Sequence, residues 1–162
     1  MKKIIITFIS LIIGILSRAQ TVNEHYYFKN LSSQNGLSQN TVSAILQDSK
    51  GFMWFGTKDG LDRYDGVSFR HFKYDRNNPR SLGNNFVTSL YEDIEGNIWV
   101  GTEIGGINLL TPNCLQTYVW QYNYLRETSL SPNPVNAISE DKDGNLWVGT
   151  VEGGLNKKSK GS

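Results

Sequence analysis

The sequence Gly51-Phe-Met-Trp-Phe-Gly-Thr57 recurs as Gly96-Asn-Ile-Trp-Val-Gly-Thr102 and as Gly144-Asn-Leu-Trp-Val-Gly-Thr150. The three tryptophans, Trp54, Trp99 and Trp147, are 45 and 48 residues apart (99 − 54 and 147 − 99). An aspartate precedes each copy at the same offset: Asp48, Asp93 and Asp141. A period of this length is typical of solenoids, propellers and other repeat arrays.

Short strands with glycine-marked turns surround the first copy. The predicted strands are 41–47, 52–57, 61–64 and 67–74, and Asp65-Gly66 is a tight hairpin signal between the last two. Four short strands in an antiparallel meander make one blade of a β-propeller. Strand 41–47 is apolar at positions on both of its sides, which predicts that both faces are covered.

The same plan repeats along the chain. The second repeat predicts strands at 87–92, 97–102, 107–110 and 115–122, and the third begins at Val135 and reaches its third strand at 155–158. We therefore predict an all-β fold of propeller blades, two complete and one partial, in an incomplete ring. The predicted divisions are 1–19 (signal peptide), 20–35 (N-terminal segment), 36–80 (blade 1), 81–128 (blade 2) and 129–162 (partial blade 3).

The first 19 residues have the layout of a secretory signal peptide. Lys2 and Lys3 precede a short apolar core, and Ser17-Arg18-Ala19 supplies small residues for cleavage. A membrane anchor is the alternative, although the apolar core is shorter than the about 20 residues of a spanning helix. Cleavage leaves 13 basic and 15 acidic residues, a formal charge of −2 (13 − 15), which does not favour nucleic-acid binding.

The repeated residues are interpreted as the scaffold of each blade. The tryptophans are expected to pack between neighbouring blades, and Asp and Gly to form the turn between the first two strands. A calcium loop is the alternative at 141–145, but the spacing lacks the glycine and glutamate of an EF-hand. The predicted structural positions are Asp48, Gly51, Trp54, Gly56, Asp93, Gly96, Trp99, Gly101, Asp141, Gly144, Trp147 and Gly149.

Loops that differ between copies are the predicted place of function. The connections between the second and third strands and the connections between blades vary, and both emerge on one face of a four-stranded meander. Binding residues concentrate on such loops. The predicted ligand-binding residues are Lys58, Asp59, Arg80, Glu103, Tyr124 and Arg126. We predict no catalytic residue, metal or cofactor: Cys114 has no partner cysteine, and His25 and His71 are expected on strand surfaces.

The pattern Leu-Ser-x-Asn-x-Val, then Asp-x-x-Gly-x-x-Trp-[Phe/Val]-Gly-Thr, then Gly-[Leu/Ile], resembles the two-component regulator propeller repeat over residues 36–156. That repeat builds the periplasmic sensor regions of hybrid sensor histidine kinases of Bacteroidota. One departure is that Leu61 follows its Gly-Thr one residue earlier than Ile107 and Leu155 do.

The resemblance implies that this chain is the N-terminal piece of a longer, membrane-anchored parent. The intact propeller would bind a solute, an oligosaccharide in many members, and a histidine kinase absent here would signal; the parent would be exported and could form a homodimer. Tyr26 and Phe28 could belong to the strand that closes the ring. A propeller lyase or other carbohydrate-active enzyme and a non-catalytic interaction scaffold are the alternatives. We expect the exposed blade faces of the isolated piece to make it poorly behaved.

Overall fold

The computed structural model describes residues 26–112, 117–120, 125, 129–131 and 134–161. Residues 26–30 belong to a unit separate from 31–161. Within that short stretch Tyr26, Tyr27 and Phe28 are exposed and form no strand. The predicted signal peptide, His25 and Cys114 lie outside the described residues, and the closing strand remains a prediction.

Three antiparallel sheets form the rest, after a 3-10 turn at Ser33–Asn35. The first sheet has β1 (Val42–Gln47), β2 (Met53–Thr57), β3 (Gly60–Tyr64) and β4 (Phe69–Phe72). The second has β5 (Val87–Glu92), β6 (Ile98–Thr102), β7 (Ile107–Leu110) and β8 (Thr117–Trp120). The third has β9 (Val135–Glu140), β10 (Leu146–Thr150) and β11 (Gly154–Lys158).

Each sheet is a meander in which strands consecutive along the chain pair with each other. The prediction of propeller blades, two of four strands and one of three in an unclosed array, is confirmed. Strands β1, β2 and β6 begin one residue later than predicted, β3 and β11 begin one residue earlier, and the fourth strand of blade 1 covers residues 69–72 rather than 67–74. Its first residues instead form the hairpin turn, where the Asp65 carboxylate accepts hydrogen bonds from the N–H groups of Val67 and Ser68.

The blades approach each other most closely at their first strands, β1 against β5 and β5 against β9. Two apolar clusters lie between them. One joins blades 1 and 2 through Trp54, Leu61, Leu82, Val87, Ile98, Val100 and Leu110. The other joins blades 2 and 3 through Trp99, Ile107, Val135, Leu146 and Val148. The core of the molecule is therefore the set of junctions between blades.

The expectation that the first strand of blade 1 is covered on both faces is wrong. Ile45 of β1 is 64% exposed and Val42 is 38% exposed, whereas the matching Val87 of β5 is fully buried. The reason is position in the array: β5 has a blade on either side, while among the described residues no blade covers the outer face of β1. The apolar pattern of β1 therefore does not by itself predict that both of its faces are covered.

Within the described ranges, no helix has the length and apolar character needed to cross a bilayer.

Candidate functional site

The aspartate and tryptophan of each repeat are joined by a hydrogen bond that fixes the turn between the first two strands. The indole N–H donates to the aspartate Oδ2 over 2.8 Å in all three copies, from Trp54 to Asp48 in the first. The other oxygen, Oδ1 of Asp48, accepts from the N–H groups of Lys50 and Phe52. The carboxylates thus face backbone and indole donors, as in a turn rather than a cation site.

Asparagine strengthens this turn in blades 2 and 3. The Asn145 amide donates to both carboxylate oxygens of Asp141, at 3.0 and 2.9 Å. These bonds, followed by the bond from Trp147, hold the pKa of the Asp141 carboxyl well below its ordinary value. Gly144 occupies the turn with a φ of +80°, a backbone conformation that residues with a Cβ rarely adopt.

The second glycine of the first two repeats lies where the next blade makes contact. A Cβ built on Gly56 would stand 2.6 Å from Cγ1 of Val87, the first residue of the next blade. A Cβ on Gly101 would stand 2.5 Å from Cγ1 of Val135. Glycine is therefore required because the following blade inserts a valine against its backbone.

The loops predicted to bind ligand lie on one face of the blades, which we call the variable face: residues 58–59, 73–86, 103–106 and 151–153. Backbone hydrogen bonds hold them together. The N–H of Gly60 donates to the carbonyl of Asn85 over 2.8 Å, and the N–H of Glu103 donates to the carbonyl of Phe86 over 2.9 Å. The N–H of Val151 makes the matching bond to Pro134.

Two of the predicted ligand-binding residues, Lys58 and Asp59, meet at the junction of blades 1 and 2. The Asp59 carboxylate forms an ion pair with Lys73 at 2.6 Å and accepts from the amide of Asn85 at 3.3 Å. The Lys58 ammonium lies 5.4 Å from the centre of the Phe86 ring. The structure thereby brings both residues to the start of β5.

The other predicted residues are distributed differently. Glu103 is exposed and reaches the same place through its backbone bond to Phe86. Arg80 is exposed in the loop between blades, where its N–H donates to the side chain of Asn78 over 3.0 Å. Tyr124 and Arg126 lie outside the described residues.

Phe86 is the residue that sequence reasoning missed. It precedes the first valine of blade 2, and the matching positions hold Thr41 and Pro134. It is half-buried, with the Lys58 ammonium over its ring and the N–H of Glu103 bound to its carbonyl. The signal was available: this position differs in all three copies and carries an aromatic side chain in only one. We call Lys58, Asp59, Lys73, Phe86 and Glu103 the loop cluster.

The predicted strand histidine, His71, has an unexpected partner. Its Nδ1 lies 2.6 Å from Oδ1 of Asp62, a fully buried carboxylate that also accepts from the N–H of Ser38 over 2.7 Å. In blade 2, Asn108 takes the position of Asp62 and accepts from the N–H of Gly83 over 2.7 Å. The buried polar residue of the third strand in blades 1 and 2 therefore anchors the linker that leads into its blade.

Comparisons with known proteins agree with this architecture. Residues 36–59, 81–103 and 129–152 match the two-component regulator propeller family. A stretch of 57 residues, 35% of this chain and 4% of the relative, is 44% identical to histidine kinase P4 of Formosa agariphila. The chain therefore spans a small fraction of this relative's length.

Two solved structures share the arrangement of blades. The extracellular domain of a protein described as a hybrid two-component system of B. thetaiotaomicron superposes with a TM-score of 0.69 at 28% identity, over 83% of this chain and 20% of that one. PorZ, a surface component of the type IX secretion system of Porphyromonas gingivalis, superposes with a TM-score of 0.58 at 22% identity, over 76% and 18%. Each matched segment covers the linker and the first two strands of one blade, and these three segments are therefore similar to the two-component regulator propeller repeat.

Proposed function

We propose that this chain is the N-terminal part of an extracytoplasmic propeller that binds a solute and signals through a membrane histidine kinase. The observation that carries the proposal is the likeness to the extracellular domain of a hybrid two-component system, which extends over 83% of this chain. The local identity to a histidine kinase supports the same parent. The kinase would belong to a part of that parent outside this chain, which itself acts without catalysis.

The solute class follows from the chemistry of the variable face, and we infer a neutral oligosaccharide. Among the described residues, the loops of this face carry four basic and four acidic side chains: Lys58, Lys73, Arg76 and Arg80 against Asp59, Asp75, Glu103 and Glu152. Balanced charge offers many hydrogen-bond donors and acceptors without attracting an ion of one sign. Such a surface suits hydroxyl groups better than sulfate or carboxylate groups.

Phe86 gives this surface an apolar platform. Binding sites combine aromatic surface with a few placed polar groups that fix orientation. The Phe86 ring has Lys58 above it, and Asp59, Lys73 and Glu103 lie around the same strand start. A sugar ring could stack on the exposed part of the phenyl ring while its hydroxyl groups bond to these charged neighbours.

The lyase alternative has weaker support. A lyase needs a general base and acid within reach of its substrate. In the described part of the chain, His71 lies on strand β4 with its Nδ1 bound to the buried Asp62. The residue therefore contributes to the linker anchor of blade 1. A non-catalytic interaction scaffold would have the same blades as a sensor and would differ from it only in binding no solute.

Calorimetric titration of the full-length extracytoplasmic region with neutral and sulfated hexasaccharides tests the ligand class. We expect a neutral glycan to bind, and Phe86→Ala to weaken its binding at least tenfold because the stacking surface is lost. Ile94→Ala is the matched control, since Ile94 is an exposed apolar residue on a turn between the first two strands. Turnover of the glycan would favour the lyase, and equal binding by both variants would remove Phe86 from the site.

The genomic reading frame tests whether this chain is part of a longer parent protein. We expect it to continue past Ser162 into further repeats, a transmembrane segment and a kinase. A frame that stops at Ser162 and yields a secreted, folded product would contradict the sensor proposal.

A further inference from the structure

Blades 1 and 2 leave a groove between them at the end of the strands opposite to the variable face. It lies beside the turns that join the first and second strands of the two blades. Its volume is about 280 Å³, near the lower end of the range of about 300–1,000 Å³ for small-molecule sites. Both of its walls belong to consecutive blades of this chain, so further blades of a longer protein would leave it as it is. We call it the arginine groove, and its charged lining residues are Asp48, Lys50, Arg63, Arg70 and Glu92.

Two arginines lie directly opposite each other on adjacent strands of blade 1. Arg63 of β3 pairs with Arg70 of β4 in the register of the sheet, and it pairs with Trp54 of β2 on its other side. The three side chains therefore share the face of the blade that packs against blade 2. Opposed residues have Cβ atoms about 4.5–5.5 Å apart, and like charges at this spacing destabilise a sheet. An anion bound between the two guanidinium groups would offset this repulsion.

Aromatic rings of blade 1 position both guanidinium groups. The Cζ of Arg63 lies 4.4 Å from the centre of the Phe52 ring and 5.8 Å from that of Trp54. The Cζ of Arg70 lies 5.1 Å from the centre of the Phe72 ring. Contacts of this kind are attractive because the face of an aromatic ring carries partial negative charge. They add no net charge, so the rings orient the two cations without neutralising them.

The two carboxylates of the groove accept hydrogen bonds from neutral donors of blade 1. Asp48 accepts from the N–H groups of its own turn and from the indole of its repeat. Glu92 accepts from the N–H and hydroxyl groups of Ser49, both at 2.7 Å. Among the described residues, Arg70 has no ion-pair partner. Three cations against two carboxylates leave the groove with a surplus of one positive charge (3 − 2).

The matching groove between blades 2 and 3 shows that the fold does not require these arginines. Leu109 takes the position of Arg63, because each pairs with the tryptophan of its repeat. Tyr118 takes the position of Arg70, because it pairs with Leu109 across the third and fourth strands. Leu109 packs against the apolar cluster that joins blades 2 and 3. The arginine pair is therefore a property of one groove and not of the repeat.

We propose that the arginine groove binds the phosphate or sulfate group of a small solute. Guanidinium groups donate pairs of parallel N–H groups to the oxygens of such anions. A carboxylate presents two oxygens in one plane, which match a single guanidinium group. A tetrahedral oxyanion has oxygens in several directions and can accept from Arg63 and Arg70 at once. The rest of the groove holds part of the molecule that carries the anion.

Calorimetric titration of the purified protein with inorganic phosphate at constant ionic strength tests the site. We expect saturable binding that is weakened at least tenfold in Arg63→Leu and in Arg70→Tyr. These substitutions introduce the residues that blade 2 carries at the same positions, so the blade should still fold, and circular dichroism checks this. Lys142→Leu is the matched control, because it removes one exposed positive charge from the same end of the strands in blade 3. Its affinity for phosphate should equal that of the wild type.

Titrations with sulfate and acetate test the class of anion. We expect sulfate to bind and acetate to bind at least tenfold more weakly than phosphate. No saturable binding of phosphate or sulfate, equal binding of acetate, or an equal loss in Lys142→Leu would each overturn the proposal.

Chemical modification tests the groove in the wild-type protein, without any substitution. Phosphate should protect Arg70 from phenylglyoxal, as read by mass spectrometry, and should leave the modification of Arg76 unchanged, since Arg76 is exposed in the loop after β4. Equal modification of Arg70 with and without phosphate would contradict the proposal. The neutral glycan is expected at the other end of the strands, so the two sites can fail their tests independently.

Discussion

Replacing Ser89 with alanine should stabilise the protein. Ser89 lies in β5, and its hydroxyl is buried without a hydrogen-bond partner among the described residues. The matching positions in blades 1 and 3 hold Ala44 and Ala137, and Ala44 shows that a junction between blades accepts alanine here. The hydroxyl faces the junction with blade 3, where a Cβ built on Gly101 would stand 2.2 Å from it.

The expected size of the effect comes from the missing bond. A buried polar group without a partner costs about 1–3 kcal/mol of desolvation free energy. Removing the Ser89 oxygen also loses a few packing contacts, so we expect the free energy of unfolding to rise by about 1 kcal/mol. For a chain of this size that corresponds to a rise in Tm of about 2–4 °C.

Urea denaturation measures the effect, and Ser43→Ala provides the control of opposite sign. The Ser43 hydroxyl donates to the carbonyl of Gly56 at 3.0 Å and also bonds to the carbonyl of Val87. Its removal should lower the free energy of unfolding by about 0.5–1.5 kcal/mol. Both variants should shift the midpoint with an unchanged slope. If Ser89→Ala is as destabilising as Ser43→Ala, the Ser89 hydroxyl has a bonding role and the reasoning fails.

Two further predictions concern the repeated residues. Gly56→Ala should lower the free energy of unfolding by about 1–3 kcal/mol, because its Cβ would stand 2.6 Å from Val87; thermal denaturation measures it, and an unchanged Tm would show that the junction can widen. The Asp141 pKa lies below its ordinary value of 3.8, so the carboxylate contributes stability above that pH and loses it as the pH falls further. Asp141→Asn should therefore flatten the acid side of the pH–stability profile, and an equal slope in both proteins would contradict this.

The strands and turns were predictable because their causes are local. Alternating apolar residues, the turn glycine and its aspartate recur in each copy, so three copies report the same meander independently. The role of Gly56 beside a junction also follows a local rule, since glycine in a strand indicates close approach of another group. The partner in that approach, Val87, lies 31 residues away (87 − 56) and could not be read from the repeat itself.

The parts that sequence reasoning missed depend on position in the array and on distant partners. The first strand of blade 1 has the apolar pattern of a covered strand, and only its place at the end explains why Ile45 is exposed. His71 was expected on a strand surface, and only the register of β3 and β4 places it beside Asp62. Phe86 stood out only once the bond between Glu103 and its carbonyl placed the loops around it.

The indole–carboxylate bond stabilises a single blade, whereas the valine–glycine contact joins one blade to the next. Trp54 and Asp48 lie within one blade, so each repeat carries its own turn wherever it stands in the chain. Val87 and Gly56 join consecutive blades, and every repeat supplies one valine and one glycine. A gene segment that encodes one repeat can therefore be duplicated or lost as a unit. The blades on either side of the change still meet through a valine on one and a glycine on the other. Propellers of this type can change their number of blades without any new interface having to evolve.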